Sequence, residues 1–440
     1  MMRQGRPTST PLSGRSYWQR HGGAPPGAGA AVPAGPRPEV PARVDFAVIG
    51  GGLAGLSSAL ALADAEPGAR IVVLEANFVG YGASGRNAGL LSPLPAPLWL
   101  ASAISEPDHL WGLKHLNGRV HEIARWLETE APESVVTPKT LRLEAQGYFT
   151  AMGLSRVARL IDKAGIEVRQ AEGPRGQIAF DLDTHAVDPY RTVVALAEIA
   201  RRRGITIVER RAARAVEETT AGVKIVLDAG LSLEARAAIV CTNAYSGSVA
   251  LPEKANAKVV HNFMVATNPV TDAQIGRSGA ADIFAIELNT SYVFYRIHEG
   301  RVVYGGIERF KQYGANDFNV PPDVLVGLER LIARSFPGGA LRPEEAWGGI
   351  YHQTGTDLPI VRRSGSSGAV VLNVGYGGTG VAMTMICGRL AAALVPGGRF
   401  VNSDDERLLA ALSSSRMPVR ALARFVGGVA SDVLTFRRPG

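Results

Sequence analysis

The chain has 440 residues, 46% hydrophobic and 20% charged, which is too long for one ordinary core and too apolar for global disorder. Its formal charge of +7 sits at the ends: six arginines against one glutamate in residues 1–43, and five against one aspartate in 416–440, leave −2 for the body between. A nucleic-acid groove needs its charge on the folded surface, so no specific nucleic-acid partner is expected.

Residues 1–43 are rich in Gly, Pro and Ala and predict a disordered tail, within which Tyr17 and Trp18 could dock on the body. The segment lacks the apolar core of a secretory signal, and no run of about 18 apolar residues predicts a transmembrane helix, so a cytoplasmic protein is expected. Cys241 and Cys387 make no disulfide framework and read as buried, reduced thiols. Residues 44–50 form an apolar strand, 53–64 an Ala/Leu-rich helix and 69–74 a second buried strand. That strand–helix–strand unit opens a doubly wound parallel sheet. Longer helices follow at 115–130 and 154–164, then a helix at 189–203 and strands at 205–209 and 237–241. Residues 257–310 predict antiparallel strands (259–266, and 292–298 against 301–307), and 321–336 a helix. A last strand at 369–373 runs into a glycine turn and a helix ending at Leu394.

Three glycine clusters carry chemistry. Gly50-Gly51-Gly52-Leu53-Ala54-Gly55 follows a strand and opens a helix. Gly50 makes the tight turn, Gly52 lets the backbone approach a pyrophosphate, and Gly55 allows close helix–strand packing. Glu75 ends the next strand at the distance a ribose hydroxyl pair requires. Gly80-Tyr-Gly-Ala-Ser-Gly-Arg-Asn-Ala-Gly89 can wrap a dinucleotide, with Arg86 against phosphate and Ser84 and Asn87 as neutral hydrogen-bonding groups. Gly375-Tyr-Gly-Gly-Thr-Gly380 precedes the last helix and leaves amides free to face a ligand.

These stretches, with Val187-Asp-Pro189, Thr242-Asn-Ala-Tyr245 and Trp347-Gly-Gly349, resemble the FAD-dependent D-amino acid oxidase superfamily, most closely its γ-glutamylputrescine oxidase-like branch. The resemblance implies a fold of α/β plus α+β class. A Rossmann-like FAD-binding domain of glutathione-reductase type would be assembled from 44–92, 181–256 and 346–400. A substrate domain on an antiparallel sheet would comprise 93–180 and 257–345, with a helical extension at 401–440. By position it implies FAD, held noncovalently, at Gly50, Gly52, Leu53, Ala54, Gly55, Glu75, Ala76, Ser84, Arg86, Asn87, Ala88, Ala213, Thr242, Gly378, Thr379 and Gly380. Thr379 stands where the family commonly has histidine. Neither cysteine lies near Gly349, where sarcosine oxidases attach flavin. Tyr351 and His352 stand where glycine oxidase has a carboxylate-clamping arginine.

The resemblance implies hydride transfer from the carbon of a C–N bond to flavin N5, giving an imine, with O2 as acceptor. The substrate would be a small amine or amino acid. A dehydrogenase serving a quinone or protein partner, and a flavin-binding subunit without turnover, remain open alternatives. Tyr351, His352 and Tyr295 are the catalytic candidates, with Tyr292 beside them on its strand. Arg296 alternates with Tyr295 and predicts a surface ion pair. His261 reads as a structural histidine on a strand edge, Trp347 as packing and Asp357 as a turn-former. No metal is called for. The proline-stiffened stretch 90–100 would line an entrance or connect domains.

Overall fold

The computed structural model describes residues 14–24, 38–92, 94, 107–145, 147–271, 281–288, 293–309, 318–337, 341–356 and 358–413. Asp357, Tyr292 and most of 90–100 lie outside them, as do all residues after 413.

A first sheet of eight strands carries the order β16-β17-β10-β1-β2-β7, where β1 is Arg43–Ile49, β2 Ile71–Leu74, β7 Thr206–Val208, β10 Ser232–Val240, β16 Ile360–Ser364 and β17 Val370–Val374. Pairing is parallel from β17 to β7 and antiparallel at β16. Burial on both faces explains why β2 reads Ile-Val-Val-Leu without polar alternation. Phe46, Val48, Ile71 and Val73 face the helices α2 (Leu53–Ala65), α5 (Pro189–Arg202) and α7 (Gly380–Leu394). Ala47, Ile49, Val72 and Leu74 face a hairpin of β8 (Ala213–Thr219) and β9 (Gly222–Leu227), which hangs on β10.

Among the described residues the second sheet has nine strands in the order β15-β11-β14-β13-β12-β4-β6-β3, with β5 beside β6. Here β3 is Leu90–Leu91, β4 Thr137–Ala145, β5 Arg169–Glu172, β6 Ile178–Ala186, β11 Ala257–Pro269, β12 Ile283–Leu288, β13 Val293–His298, β14 Arg301–Arg309 and β15 Pro343–Thr354. Helix α6 (Pro322–Ser335) buries Val324, Leu328 and Ile332 against one face. Helices α3 (Pro107–Glu130), α4 (Tyr148–Lys163) and α8 (Ser403–Ser413) complete the body.

Several expectations change. The expected boundaries at 180/181 and 345/346 fall inside β6 and β15, which belong wholly to the second sheet, and β3 joins that sheet although it lies in the expected first-domain segment 44–92. Within the expected tail, residues 14–24 form a docked arm around helix α1 (Tyr17–His21), with Tyr17, Trp18 and Gln19 buried. The segment Gly377–Leu394 is long and apolar enough to cross a membrane, but two-thirds of it is buried within the fold, where α7 packs against α2.

Candidate nucleotide and substrate site

The early glycine turn is built for close approach. Gly50 has φ +114°, and its amide donates to Leu74 O at 2.8 Å. A Cβ on Gly55 would lie 1.8 Å from Gly50 O, so helix and turn touch backbone to backbone. Gly55 therefore packs and does not line the cavity. Glu75 Oε2 accepts from Gly51 N at 2.7 Å and Oε1 from Asn77 N at 2.8 Å. Burial pushes its carboxyl up to about 7, against the lowering effect of those amides.

The 80–89 loop folds over this turn. Ser84 Oγ accepts from Leu53 N at 3.0 Å, satisfying one of the helix's orphan amides. Arg86 is buried and donates to the carbonyls of Tyr81 (2.8 Å), Gly14 (2.9 Å) and Gly348 (3.2 Å). Its guanidinium lies 3.5 Å from the Phe318 ring centre, and Nη2 has no partner among the described residues. Burial pulls its pKa down to about 10, so the cation persists at neutral pH.

The late turn is tied to the early one by a buried relay. Tyr376 donates its hydroxyl to Asn373 Oδ1, Asn373 Nδ2 donates to Ser58 Oγ at 3.0 Å, and Ser58 donates to Ala54 O at 2.7 Å. Gly375 N donates to Asn243 Oδ1 at 3.1 Å, bringing in the loop after β10.

One cavity of about 660 Å³ joins these parts. Gly50, Gly52, Leu53, Ala54, Glu75, Ala76, Ser84, Arg86, Asn87, Ala88, Ala213, Thr242, Gly378, Thr379, Gly380 and Tyr351 all line it. Its volume falls in the range of cofactor and small-ligand sites. Sheet two adds Asn262, Met264, Phe284, Ile286, Phe294 and Glu308. The Tyr351 hydroxyl donates to Glu308 Oε1.

Two catalytic candidates lie elsewhere. Tyr295 is 2% exposed in the core beneath α6, stacked on Tyr304 with its hydroxyl 3.4 Å from Glu144 Oε1, because strand alternation turns Phe294 toward the cavity instead. His352 alternates with Tyr351 and points off the cavity. Its ring is buried, Nδ1 has no partner among the described residues, and burial pulls its pKa down to about 4. Arg296 is buried with its guanidinium 4.8 Å from the Trp18 ring, not in a surface ion pair. His261 is buried on β11, between β14 and β15 and not at a sheet edge. Trp347 is buried and donates Nε1 to Arg86 O at 2.9 Å.

Residues beyond the expected set also reach the cavity. Asn243 and Tyr245 both lie within the Thr242-Asn-Ala-Tyr245 motif, which is their signal in the sequence. The Tyr245 hydroxyl is buried and has no partner among the described residues. Arg210 and Arg214 flank Ala213. Glu308 had no signal, because it reaches the cavity through an irregularity in β14.

A doubly wound sheet with a glycine turn, an acidic strand end and a mostly antiparallel second sheet over one cavity defines a dinucleotide-dependent oxidoreductase architecture. The chain belongs to the family described as FAD dependent oxidoreductase (DAO), which matches residues 45–394. It is 29% identical over 381 residues to gamma-glutamylputrescine oxidoreductase of Escherichia coli K12, covering 80% of this chain and 84% of that protein. It is 22% identical over 368 residues to glycine oxidase of Bacillus licheniformis, covering 81% and 94% respectively. The crystal structure of glycine oxidase from Geobacillus kaustophilus superposes with a TM-score of 0.67 at 19% identity, over 80% of this chain and 95% of that one. The protein is an FAD-dependent oxidoreductase, and its residues fit the cofactor. The unpartnered Arg86 Nη2 and Tyr245 hydroxyl face a cavity ringed by glycine amides.

Proposed function

We propose that this oxidoreductase dehydrogenates a C–N bond of an amine or amino acid to an imine, with O2 taking the electrons finally. FAD, when bound, supplies the acceptor for the hydride and its two electrons. The observation that carries the reading is the single cavity joining both glycine turns to an apolar wall of Met264, Phe284, Ile286 and Phe294. Two relatives are named for γ-glutamylputrescine and glycine, which supports a substrate bearing nitrogen.

In this reading Gly50, Gly52, Leu53 and Ala54 present the α2 amides to the pyrophosphate, while Glu75 and Ala76 hold the ribose. Ala213 meets the adenine, and Ser84, Arg86, Asn87, Ala88 and Thr242 line the path to the flavin. Gly378, Thr379 and Gly380 meet the ring through backbone amides at the α7 N-terminus, where the helix dipole favours negative charge. The apolar wall disfavours an ammonium and so helps the reacting amine to shed its proton. Tyr351 faces the substrate. Attachment is noncovalent: Cys241 lines the cavity, but burial pushes its thiol up to about 12, far from a reactive thiolate.

The test is a purified yellow chain, denatured to see whether FAD is released, and mixed without air with a panel of amines and amino acids. The reading expects FAD in the supernatant, bleaching of the flavin band by an amine, and peroxide on admitting air. A flavin band that no amine bleaches refutes the C–N chemistry. Bleaching that air does not reverse refutes the oxidase and favours a quinone or protein acceptor.

A further inference from the structure

Four neighbouring strands of sheet two place one residue each on a single transverse row. Met264 on β11 faces Gly305 on β14, Gly305 faces Phe294 on β13, and Phe294 faces Ile286 on β12. Met264, Phe294 and Ile286 line the cavity. The residues beside them in each strand, Val265, Tyr304, Tyr295 and Ala285, are buried under α6 on the opposite face, as alternation requires. Three strand spacings make the row about 14 Å long. Gly305 is the gap in it. A Cβ there would lie 2.2 Å from Phe294 Cζ, 2.3 Å from Cε2 and 3.1 Å from Met264 Cγ, so the far end of the ring occupies the space where a side chain would begin. Strand side chains ordinarily stand away from the sheet. Here the missing Cβ lets Phe294 lean across β14 toward Met264, which keeps the ring down and the cavity above it open. The backbone of Gly305 is outside the left-handed region, so glycine supplies space at this position and not conformation. Phe284, two residues before Ile286 on β12, adds a second ring to the same wall.

We infer that Gly305 sets the depth of the substrate pocket by holding Phe294 low, and that the pocket takes an amine with a bulky apolar part, an arylalkylamine above all, in preference to one of glycine size. This rests on the amine-oxidising reading above. Phe284 and Phe294 offer aromatic surface to an aryl group, and Met264 a polarisable sulfur. Gly305 and Phe294 are thus specificity residues: they set which carbon skeleton fits and leave the C–N chemistry to the cofactor.

The test is binding of methylamine, butylamine and 2-phenylethylamine to the purified holoenzyme without air. Affinity is read from the concentration dependence of flavin bleaching, or by calorimetry where no bleaching occurs. The wild type is expected to bind 2-phenylethylamine at least about tenfold tighter than methylamine, with butylamine between them. Gly305→Ala tips the ring into the cavity and should lower the 2-phenylethylamine-to-methylamine ratio at least about tenfold. Adding Phe294→Leu, which removes the colliding end of the ring, restores part of that ratio. A wild type that binds methylamine as tightly as 2-phenylethylamine overturns the inference, as does a ratio that Gly305→Ala leaves unchanged, even where both affinities fall. If Gly305→Ala does not fold, the ranking of the three probes on the wild type decides. Affinities that follow apolar bulk without any bleaching would leave the pocket assignment standing and sink the oxidation chemistry alone; bleaching by methylamine alone would do the reverse.

Discussion

Substituting Trp18 with alanine should release the N-terminal arm while leaving the body folded. A five-residue helix has no stability of its own, so α1 exists only because it is docked. Burial of the Tyr17 and Trp18 rings at roughly 200 Å² each contributes about 10 kcal/mol. Ordering residues 14–24 costs roughly 13 kcal/mol. Ser16 Oγ to Gly85 O (2.6 Å), Gln19 Nε2 to Gly80 O (2.9 Å) and the Arg20–Glu345 pair (2.5 Å) offset this. At about 1–2 kcal/mol each, they leave docking favourable by only a kcal/mol or two. Loss of a fully buried tryptophan costs about 3–5 kcal/mol, which exceeds that margin. Trypsin should therefore cut Trp18→Ala rapidly after Arg15 and Arg20, sites that are protected in the parent. The freed 80–85 loop should also let FAD dissociate faster, read by flavin fluorescence on dilution. An arm as protease-resistant as the parent's, with an unchanged FAD off-rate, would refute the accounting.

Gly55→Ala places a methyl 1.8 Å from Gly50 O and should lower stability by about 1–3 kcal/mol and weaken FAD retention, whereas Gly118→Ala, inside α3 with nothing within 4 Å, should stabilise by up to about 1 kcal/mol. Equal melting temperatures for the two variants would be the failing result. Burial, and then the charge of Glu287, push the Glu144 carboxyl up to about 7, so the folded state holds its proton after the unfolded chain has lost it. Stability should fall as pH rises from about 4.5 through about 7, by at most about 3 kcal/mol from this group, and Glu144→Gln should flatten that slope in urea titrations. Arg86→Lys loses the planar group stacked at 3.5 Å on Phe318 and should weaken FAD binding at least roughly tenfold, measured by fluorescence titration of the apoprotein; parent-like affinity would argue that the guanidinium plane is irrelevant.

The early half of the candidate nucleotide site is legible in the sequence because it is local: turn, helix and acidic strand end lie within 26 residues, from Gly50 to Glu75. Strand alternation, which sets Arg296 opposite Tyr295, bears on the catalytic candidates as well. Adjacent side chains of one strand point to opposite faces, so the side chains of Tyr351 and His352, or of Phe294 and Tyr295, are alternatives and not pairs. What stayed illegible is non-local. Arg296 is buried partly beneath Trp18, 278 residues away in the chain. The arm reads as tail by its glycines and prolines, and its one legible docking signal is the pair of rings at Tyr17 and Trp18, which are buried in the fold. Glu308 depends on a slipped pairing between β11 and β14, and a register shift leaves no mark in hydrophobic pattern.

The two glycine turns lie more than 300 residues apart, yet on the proposed reading they must hold one dinucleotide to within a fraction of an ångström. Backbone amides alone cannot enforce that, since each turn could drift with its own helix. The Tyr376–Asn373–Ser58–Ala54 relay answers the problem by joining β17 and the late turn to α2 through side chains that are buried and hydrogen-bonded along their length. A buried polar chain is costly when broken, because each orphaned member keeps its desolvation penalty. That cost fixes the spacing between the turns: sliding α7 against α2 would unpair Asn373 inside the core. The same logic makes the fully buried middle of the relay, Asn373 and Ser58, as much a part of the candidate site as Ala54 and Tyr376, which line it at either end.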